Sequence, residues 1–254
     1  MAAVEDLSPQ AQRALADELA RRSLEHFHEW AFSVLHGGEQ MWKGPHTQAM
    51  AHVLERVARG ESKREIITVP PRHGKSELVS GSYIAWLLGH DPGMKVTVVS
   101  YGLELSVALV DKVRTIMRHP IYKRLFPKTQ IRRGKDKSDH FITTQGWEVR
   151  AASKGGAITG LGTHVMIVDD FHKAGEVLSP VERENAIATF RSTFLTRFDN
   201  LADGRIIIVQ QRIHEEDLVG WALRHGNWHH LNLPAFAEQD EDILPELAAV
   251  QQRR

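Results

Sequence analysis

Two short runs of the chain are wholly apolar and bounded by polar residues, at residues 165–168 and 206–209. Such runs are typical of strands that are buried on both faces of a parallel sheet. Short β-branched segments predict further strands at 65–69 and 95–100, and residues 141–152 predict a hairpin. The pattern therefore predicts a sheet whose central strands have no solvent-exposed face.

Segments with helical spacing of apolar residues alternate with these strands. We predict helices at residues 8–35, 46–59, 75–88, 103–118, 180–197 and 215–224. Alternation of strands and helices predicts a doubly wound α/β fold, in which ligands bind at the carboxyl ends of the strands.

Composition limits the functions that such a sheet could serve. The chain has 254 residues, of which 42% are hydrophobic and 25% are charged, and it has no cysteine. These values are ordinary for a globular protein, and the lack of cysteine excludes disulfides, thiolate zinc sites and a cysteine nucleophile. No apolar run reaches the roughly 18–20 residues of a membrane helix, so we expect no membrane partner.

Charge is balanced overall but segregated along the chain. Thirty-two basic and 32 acidic residues give zero net charge. Between residues 123 and 137, seven basic residues accompany the single acid Asp136, whereas residues 238–246 include five acids and no base. Any attraction for nucleic acid must therefore be local, and a solvated surface is the other interpretation of the basic run.

The turn after the first predicted strand has the pattern of a phosphate-binding loop. Residues 66–76 form a strand, a tight turn, Gly74-Lys75-Ser76 and the start of a helix. In that context backbone N–H groups face the phosphates, Lys75 lies at the β and γ oxygens, and Ser76 offers its hydroxyl to Mg²⁺. Val69 stands where the usual pattern has its first glycine, and a plain strand–helix turn with a solvated lysine is the alternative. The predicted phosphate-binding set is Pro71, Arg72, His73, Gly74, Lys75 and Ser76.

A second signal lies at the end of the apolar run at 165–168. The run continues into Asp169 and Asp170. A P-loop enzyme needs one carboxylate for the Mg²⁺ shell and a second to polarise water, so we predict Asp169 as the Mg²⁺ ligand and Asp170 as the base. The alternative is a pair of strand-end aspartates that caps the following segment.

Together, these motifs resemble the ATPase domain of large terminase subunits, the motors that package DNA into procapsids of tailed phages. The resemblance covers about residues 45–234 and rests on Pro70 to Ser76, Ser100-Tyr101, Thr159-Gly160, Val168-Asp169-Asp170 with Lys173, and Gln211 to Leu218. It implies an ASCE-type P-loop NTPase with a mostly parallel sheet and an extra strand between the P-loop strand and the Asp169 strand. It also implies a helical N-terminal subdomain at 1–60, an ATPase core at 61–234 and a linker or truncated tail at 235–254.

The resemblance further implies ATP hydrolysis, with ATP and Mg²⁺, that drives double-stranded DNA into a procapsid in the host cytoplasm. The implied partners are double-stranded DNA, a small terminase subunit, the portal protein and further copies of the chain in a ring. Two other classes stay open: a small-molecule kinase, which would need an arginine-rich lid and an acceptor pocket, and a low-turnover nucleotide-dependent DNA-binding module.

Several residues receive roles through the resemblance alone. Gln48 matches an adenine-reading glutamine, and Arg72 matches a catalytic arginine at the γ-phosphate, a role that suits its permanent charge. The coupling motif between nucleotide and DNA surfaces falls within Gln210, Gln211 and Arg212. Arg191 and Arg197 are candidates for an arginine donated to a neighbouring subunit.

The DNA surface and the chain end complete the expectations. A motor that moves along any sequence should contact phosphates, and Arg132, Arg133 and Lys135 are the candidates within the basic run. Large terminases continue into a nuclease domain, whereas only 20 residues follow Pro234 here. We therefore expect no nuclease activity from this chain, as either the ATPase part of a longer protein or a split subunit.

Overall fold

A single mixed sheet organises the computed structural model, which describes residues 7–156 and 162–235. Its strands are β1 (Arg64–Thr68), β2 (Val96–Ser100), β3 (Ile131–Asp136), β4 (His140–Thr143), β5 (Glu148–Ser153), β6 (Val165–Asp169), β7 (Arg205–Gln210) and β8 (His229–Asn232). They lie in the order β3-β4-β5-β2-β6-β7-β1-β8, with antiparallel pairing at β3-β4 and β4-β5 and parallel pairing elsewhere. The predicted mostly parallel α/β sheet is confirmed, and β7 is the extra strand between β1 and β6.

Helices cover both faces of this sheet. They are α1 (Pro9–Arg22), α2 (Leu24–Leu35), α3 (Pro45–Ala58), α4 (Lys75–Glu77), α5 (Tyr83–His90), α6 (Leu103–Arg118), α7 (Pro120–Leu125), α8 (Pro180–Thr189) and α9 (Leu218–His225). Leu78–Ser82 and Phe190–Phe194 are π-helical turns that continue α4 and α8. The helices predicted at 75–88 and 180–197 therefore contain a wider turn, and the second ends at Phe194. None of the helices in the described ranges is long and apolar enough to cross a membrane.

The single helix predicted over residues 8–35 is wrong, because the chain breaks at Ser23. Ser23 has an extended backbone, and its N–H donates to the Leu19 carbonyl at 2.9 Å to close α1. The next N–H, on Leu24, donates to the Glu55 carboxylate at 2.7 Å. Serine favours such helix boundaries because its hydroxyl competes for backbone groups, and the contact with α3 fixes the break.

The two sheet faces bury separate apolar clusters, as the central strands predict. On one face, Ile67 of β1 and Ile167 of β6 pack with helices α1–α3 and α5–α7. On the other, Ile66 and Val168 pack with α8, the following π turn and α9. Successive strand residues point to opposite faces, so both faces are apolar and the carboxyl edge remains for polar chemistry.

Helices α1–α3 pack on the same face as the helix that follows the loop at 69–74. His28 of α2 bonds Ser82 at 2.7 Å, and the indole N–H of Trp86 donates to the Arg21 carbonyl at 3.1 Å. The division of the chain at residues 60 and 234 stays a prediction. The acidic run at 238–246 lies outside the described residues.

Candidate nucleotide-binding site

The loop between β1 and α4 contains two residues with a left-handed backbone conformation. Gly74 has φ 72°, and Arg72 also takes a left-handed conformation, with φ 63°. A non-glycine residue in this region is strained by about 1–3 kcal/mol, and such strain gathers at ligand clamps. The loop is braced by a hydrogen bond of 2.9 Å between His73 Nδ1 and the Pro71 carbonyl. Residues 71–74 are exposed at the carboxyl edge of the sheet, where a ligand can reach them.

The first residues of α4 meet the two carboxylates that end β6. Lys75 Nζ lies 3.2 Å from Asp170 Oδ2, and Ser76 Oγ donates to Asp169 Oδ1 at 3.0 Å. Lys75 and Asp169 are buried, with 9% and 1% of their surface exposed. The two pairs are separated by 95 and 93 positions in the sequence. They form one cluster because β1 and β6 end at the same edge of the sheet, with β7 between them.

A second hydroxyl also holds Asp169. Ser80 Oγ, in the π turn, donates to Asp169 Oδ2 at 2.5 Å. Burial, and then the charge of Asp170, raise the pKa of Asp169 to about 6, against the opposing effect of the Ser80 and Ser76 hydroxyls and Lys75. Both Asp169 oxygens therefore accept hydrogen bonds from the helix after the loop.

Asp170 connects three strand ends through its backbone. Its φ of 46° turns the chain out of β6. Its N–H donates to the Val209 carbonyl at 3.0 Å, and its carbonyl accepts from the Tyr101 N–H at 3.2 Å. The side chain is fixed in front of the cluster because β2, β6 and β7 hold its backbone.

A cavity of about 10 Å³, which is room for one water molecule, adjoins Asp170. Gln210 and Gln211 line it, together with His172 and Asp217. Gln210 is 4% exposed, and its Oε1 has no hydrogen-bond partner within residues 7–156 and 162–235. Gln210 is also the β7 residue paired with Thr68 of β1, so it adjoins both the loop strand and the carboxylate strand.

The topology and this cluster together decide the class of fold. A glycine-lysine-serine turn follows β1, a carboxylate pair ends β6, and β7 lies between them. This is a P-loop NTPase fold. The chain superposes on the HK97 bacteriophage large terminase with a TM-score of 0.52 and 14% sequence identity. The resemblance seen in the sequence is thus confirmed at the level of the fold.

Two other solved structures match this chain with lower TM-scores. The large terminase of the thermophilic bacteriophage D6E gives a TM-score of 0.44 at 15% identity, over 79% of this chain and 48% of its own. A DEAD box protein from Methanococcus jannaschii gives 0.43 at 12%, over 73% and 49%. The HK97 match covers 80% of this chain but 42% of the terminase, so the chain spans less than half the length of these proteins. No protein-family model matches the sequence, and no curated protein does.

The three candidate coupling residues have different surroundings. Gln210 and Gln211 face the cavity beside Asp170. The Arg212 guanidinium instead donates to Asp217 Oδ2 at 3.1 Å and to the carbonyls of His214 and Glu215. Arg212 therefore stabilises the turn before α9. Asp217 caps the start of α9, since its carboxylate accepts a hydrogen bond from the Gly220 N–H.

The other candidates lie farther from the cluster. The Gln48 amide donates to Glu25 Oε2 at 3.4 Å. Arg191 lies over the Trp221 ring at 5.9 Å. The Arg197 carbonyl accepts from Thr163, just before β6, so Arg197 lies at the amino edge of the sheet. The motif residues Thr159 and Gly160 are outside the described residues.

The basic run at 123–137 includes an edge strand. Arg132, Arg133 and Lys135 are exposed on β3, at the far end of the sheet from β1 and β8. Six strand spacings separate β3 from β1, which is about 29 Å. Arg124 of the same run pairs with Asp17 at 2.7 Å. Charged side chains on an edge strand also prevent it from pairing with a strand of another molecule. The position of these three residues is therefore compatible with DNA binding and with protection of the sheet edge.

Sequence reasoning missed two polar residues of the site, Ser80 and His172. Ser80 lies four residues after Ser76, and this spacing on one helix face was a usable signal. His172 accepts the Leu218 N–H at 2.9 Å through Nε2, and burial lowers its pKa to about 4. A contact between residues 172 and 218 depends on the fold, so no local pattern predicted it.

Proposed function

We propose that this chain hydrolyses ATP and that hydrolysis drives double-stranded DNA into a viral procapsid. The observation that supports the enzymatic part most strongly is the cluster of Lys75, Ser76, Asp169 and Asp170. It combines one cation, one hydroxyl and two carboxylates at an exposed turn of backbone N–H groups. P-loop NTPases use a lysine, a hydroxyl and a carboxylate of this kind to bind phosphates and Mg²⁺.

The donors fit Mg²⁺, the ion that a P-loop enzyme uses. Ser76 Oγ and Asp169 Oδ1 are 3.0 Å apart, so one cation could contact both oxygens, and Mg²⁺ prefers oxygen ligands with substrate phosphates completing its shell. Bound there, the ion would neutralise charge on the β and γ phosphate oxygens. Ser80 keeps the Asp169 carboxylate in place from its other side.

The remaining chemistry belongs to side chains of the chain itself. Lys75 and the N–H groups of 71–76 bind phosphate oxygens, and Arg72 contacts the γ-phosphate from its exposed position. Asp170 accepts a proton from the attacking water, which the adjoining cavity and Gln210 help to hold. Gln210 and Gln211 couple hydrolysis to DNA movement, because they line the Asp170 cavity at the end of β7.

The DNA-packaging part rests on the fold shared with the HK97 large terminase. A motor of that kind acts with a small terminase subunit, a portal protein and further copies of itself in a ring, in the host cytoplasm. We extend these partners to this chain as part of the proposal. Arg132, Arg133 and Lys135 are the proposed DNA contacts.

The test is phosphate release from ATP by the full chain, with and without double-stranded DNA and without any added acceptor. We expect turnover with no acceptor and faster turnover with DNA. A requirement for a small-molecule acceptor would instead identify a kinase. Nucleotide binding with no turnover under either condition would identify a binding module.

A further inference from the structure

A larger cavity adjoins the loop between β1 and α4, which is the P-loop of this fold. Its volume is about 310 Å³, within the usual size of small-ligand sites. Arg72, His73 and Gly74 form one wall, and residues of α2, α3 and the segment between them form the rest. A nucleotide whose phosphates lie on the P-loop has this cavity beside it.

The walls suit a flat aromatic ligand. Phe32, Met41 and Met50 supply apolar surface. Trp42 is 78% exposed and stacks on His46, with ring centroids 6.1 Å apart and planes at 28°. An indole this exposed at the rim of a cavity has a free face. Aromatic rings can stack on any nucleobase, because every base has a flat π-face.

One buried polar ring belongs to the same wall. His28 is 2% exposed, and its Nδ1 is 2.7 Å from Ser82 Oγ. Burial lowers the pKa of His28 to about 4, so the ring is neutral at pH 7. Since Ser82 occupies Nδ1, Nε2 is the polar atom that remains for a ligand, and a neutral imidazole donates or accepts there according to its tautomer.

We propose that this cavity holds the purine base of the nucleotide, with Trp42 stacking on the base and His28 making its hydrogen bond, in place of Gln48. This inference rests on the proposed function. The Gln48 amide is directed to Glu25 of α2, and the residues lining the cavity on α3 are its neighbours His46, Thr47 and Met50.

The proposal has a consequence for nucleotide choice. Adenine and guanine both present N7 as an acceptor, so one imidazole N–H can serve either base. Stacking also distinguishes purines poorly. ATP and GTP should therefore bind within about tenfold of each other, since a single neutral hydrogen bond contributes about threefold to tenfold in affinity.

The experiment is calorimetric titration of the full chain with ATP, GTP and inorganic tripolyphosphate. His28→Asn keeps a group at the Nδ1 position for Ser82 and removes Nε2, whereas His28→Gln puts an amide near the Nε2 position. Trp42→Ala changes an exposed residue, so the fold should tolerate it. Gln48→Ala is the matched control for the glutamine.

We expect His28→Asn to weaken ATP about threefold to tenfold and Trp42→Ala about fivefold or more, with tripolyphosphate affinity unchanged in both. His28→Gln should return ATP affinity to within about twofold of wild type, and Gln48→Ala should leave it unchanged. Loss of ATP affinity in Gln48→Ala but not in His28→Asn and Trp42→Ala would overturn the proposal and keep the proposed function. Equal loss of affinity for ATP and for tripolyphosphate in these variants would also overturn the proposal for the base. If the wild-type chain binds neither ATP nor tripolyphosphate, this proposal and the proposed function are both overturned.

Discussion

Ser80 donates its hydroxyl to Asp169 Oδ2 at 2.5 Å, across the interface between the helix after the P-loop and the end of β6. Ser76 holds the other oxygen of the same carboxylate at 3.0 Å. The π turn at Leu78–Ser82 includes Ser80, and such turns occur frequently at functional sites. A buried carboxylate held on both oxygens has one orientation, which a metal ligand requires.

Ser80→Ala should raise the Mg²⁺ concentration needed for half-maximal nucleotide binding by about tenfold or more, the effect of one hydrogen bond to a charged group. Nucleotide binding measured without Mg²⁺ should not change. Ser106→Ala is the control, since Ser106 is equally buried but donates to the Ala152 carbonyl. An unchanged Mg²⁺ requirement in Ser80→Ala would remove Ser80 from the site.

The two carboxylates should separate in their effects. Asp169→Asn should weaken Mg²⁺-dependent ATP binding, because it removes the charged ligand. Asp170→Asn should spare binding and lower turnover by about 10² to 10⁴-fold, the range for a lost general base. Binding by calorimetry and phosphate release report the two effects independently, and identical behaviour of the variants would contradict the division of roles.

His172 should make the fold sensitive to acid. Its pKa is about 4 in the folded protein against an ordinary 6.5, so the unfolded chain binds the proton more tightly. Its contribution to stability is present above pH 6.5 and is lost as pH falls toward 4, by about 2 kcal/mol between pH 7 and pH 5.

His172→Gln keeps an acceptor for the Leu218 N–H but does not titrate. In this variant, we expect the free energy of unfolding, measured in urea, to lose the pH dependence that comes from His172. The smaller pH dependence that remains would include the contribution of the buried His28. The same loss of stability between pH 7 and pH 5 in variant and wild type would show that His172 does not titrate as described.

Neutralising Arg132, Arg133 and Lys135 together should weaken double-stranded DNA binding. The slope of log affinity against log salt should fall by up to about three units, close to one per lost phosphate contact. The control neutralises Arg22, Arg59 and Lys63, which changes net charge equally but removes cations paired with acids. A slope that changes equally in both triples, or in neither, would locate the DNA surface away from β3.

The sequence predicted the central sheet and the phosphate-binding turn because their signals are local. The apolar runs at 165–168 and 206–209 need no tertiary information, and Gly74-Lys75-Ser76 follows a strand directly. Strand β3 was missed because the charged residues Arg132, Arg133 and Lys135 remove the alternation of apolar and polar positions that predicts a strand. Edge strands commonly carry such charged side chains. Strand β8 was missed because its histidines pair with Glu65 and Thr68 of β1, which are far away in sequence.

The candidate site divides in the same way. Lys75, Ser76, Asp169 and Asp170 were predicted and lie together, although their roles stay predictions. The surroundings of Gln48 and Arg212 depend on Glu25 and Asp217, which only the packed structure brings to them. His172 and His28 act through contacts across the fold, with Leu218 and Ser82, so no local spacing predicts them, whereas Ser80 could have been found from its spacing to Ser76.

The central claim, that this turn holds the phosphates of a hydrolysed nucleotide, is tested most directly by phosphate release from Mg²⁺-ATP in Lys75→Ala. The lysine acts on charge that develops at the phosphates, so its loss should abolish release while urea unfolding stays near that of the wild type. Lys63→Ala, at the opposite edge of the sheet, should hydrolyse ATP at the wild-type rate. Release from Lys75→Ala as fast as from wild type would contradict the account.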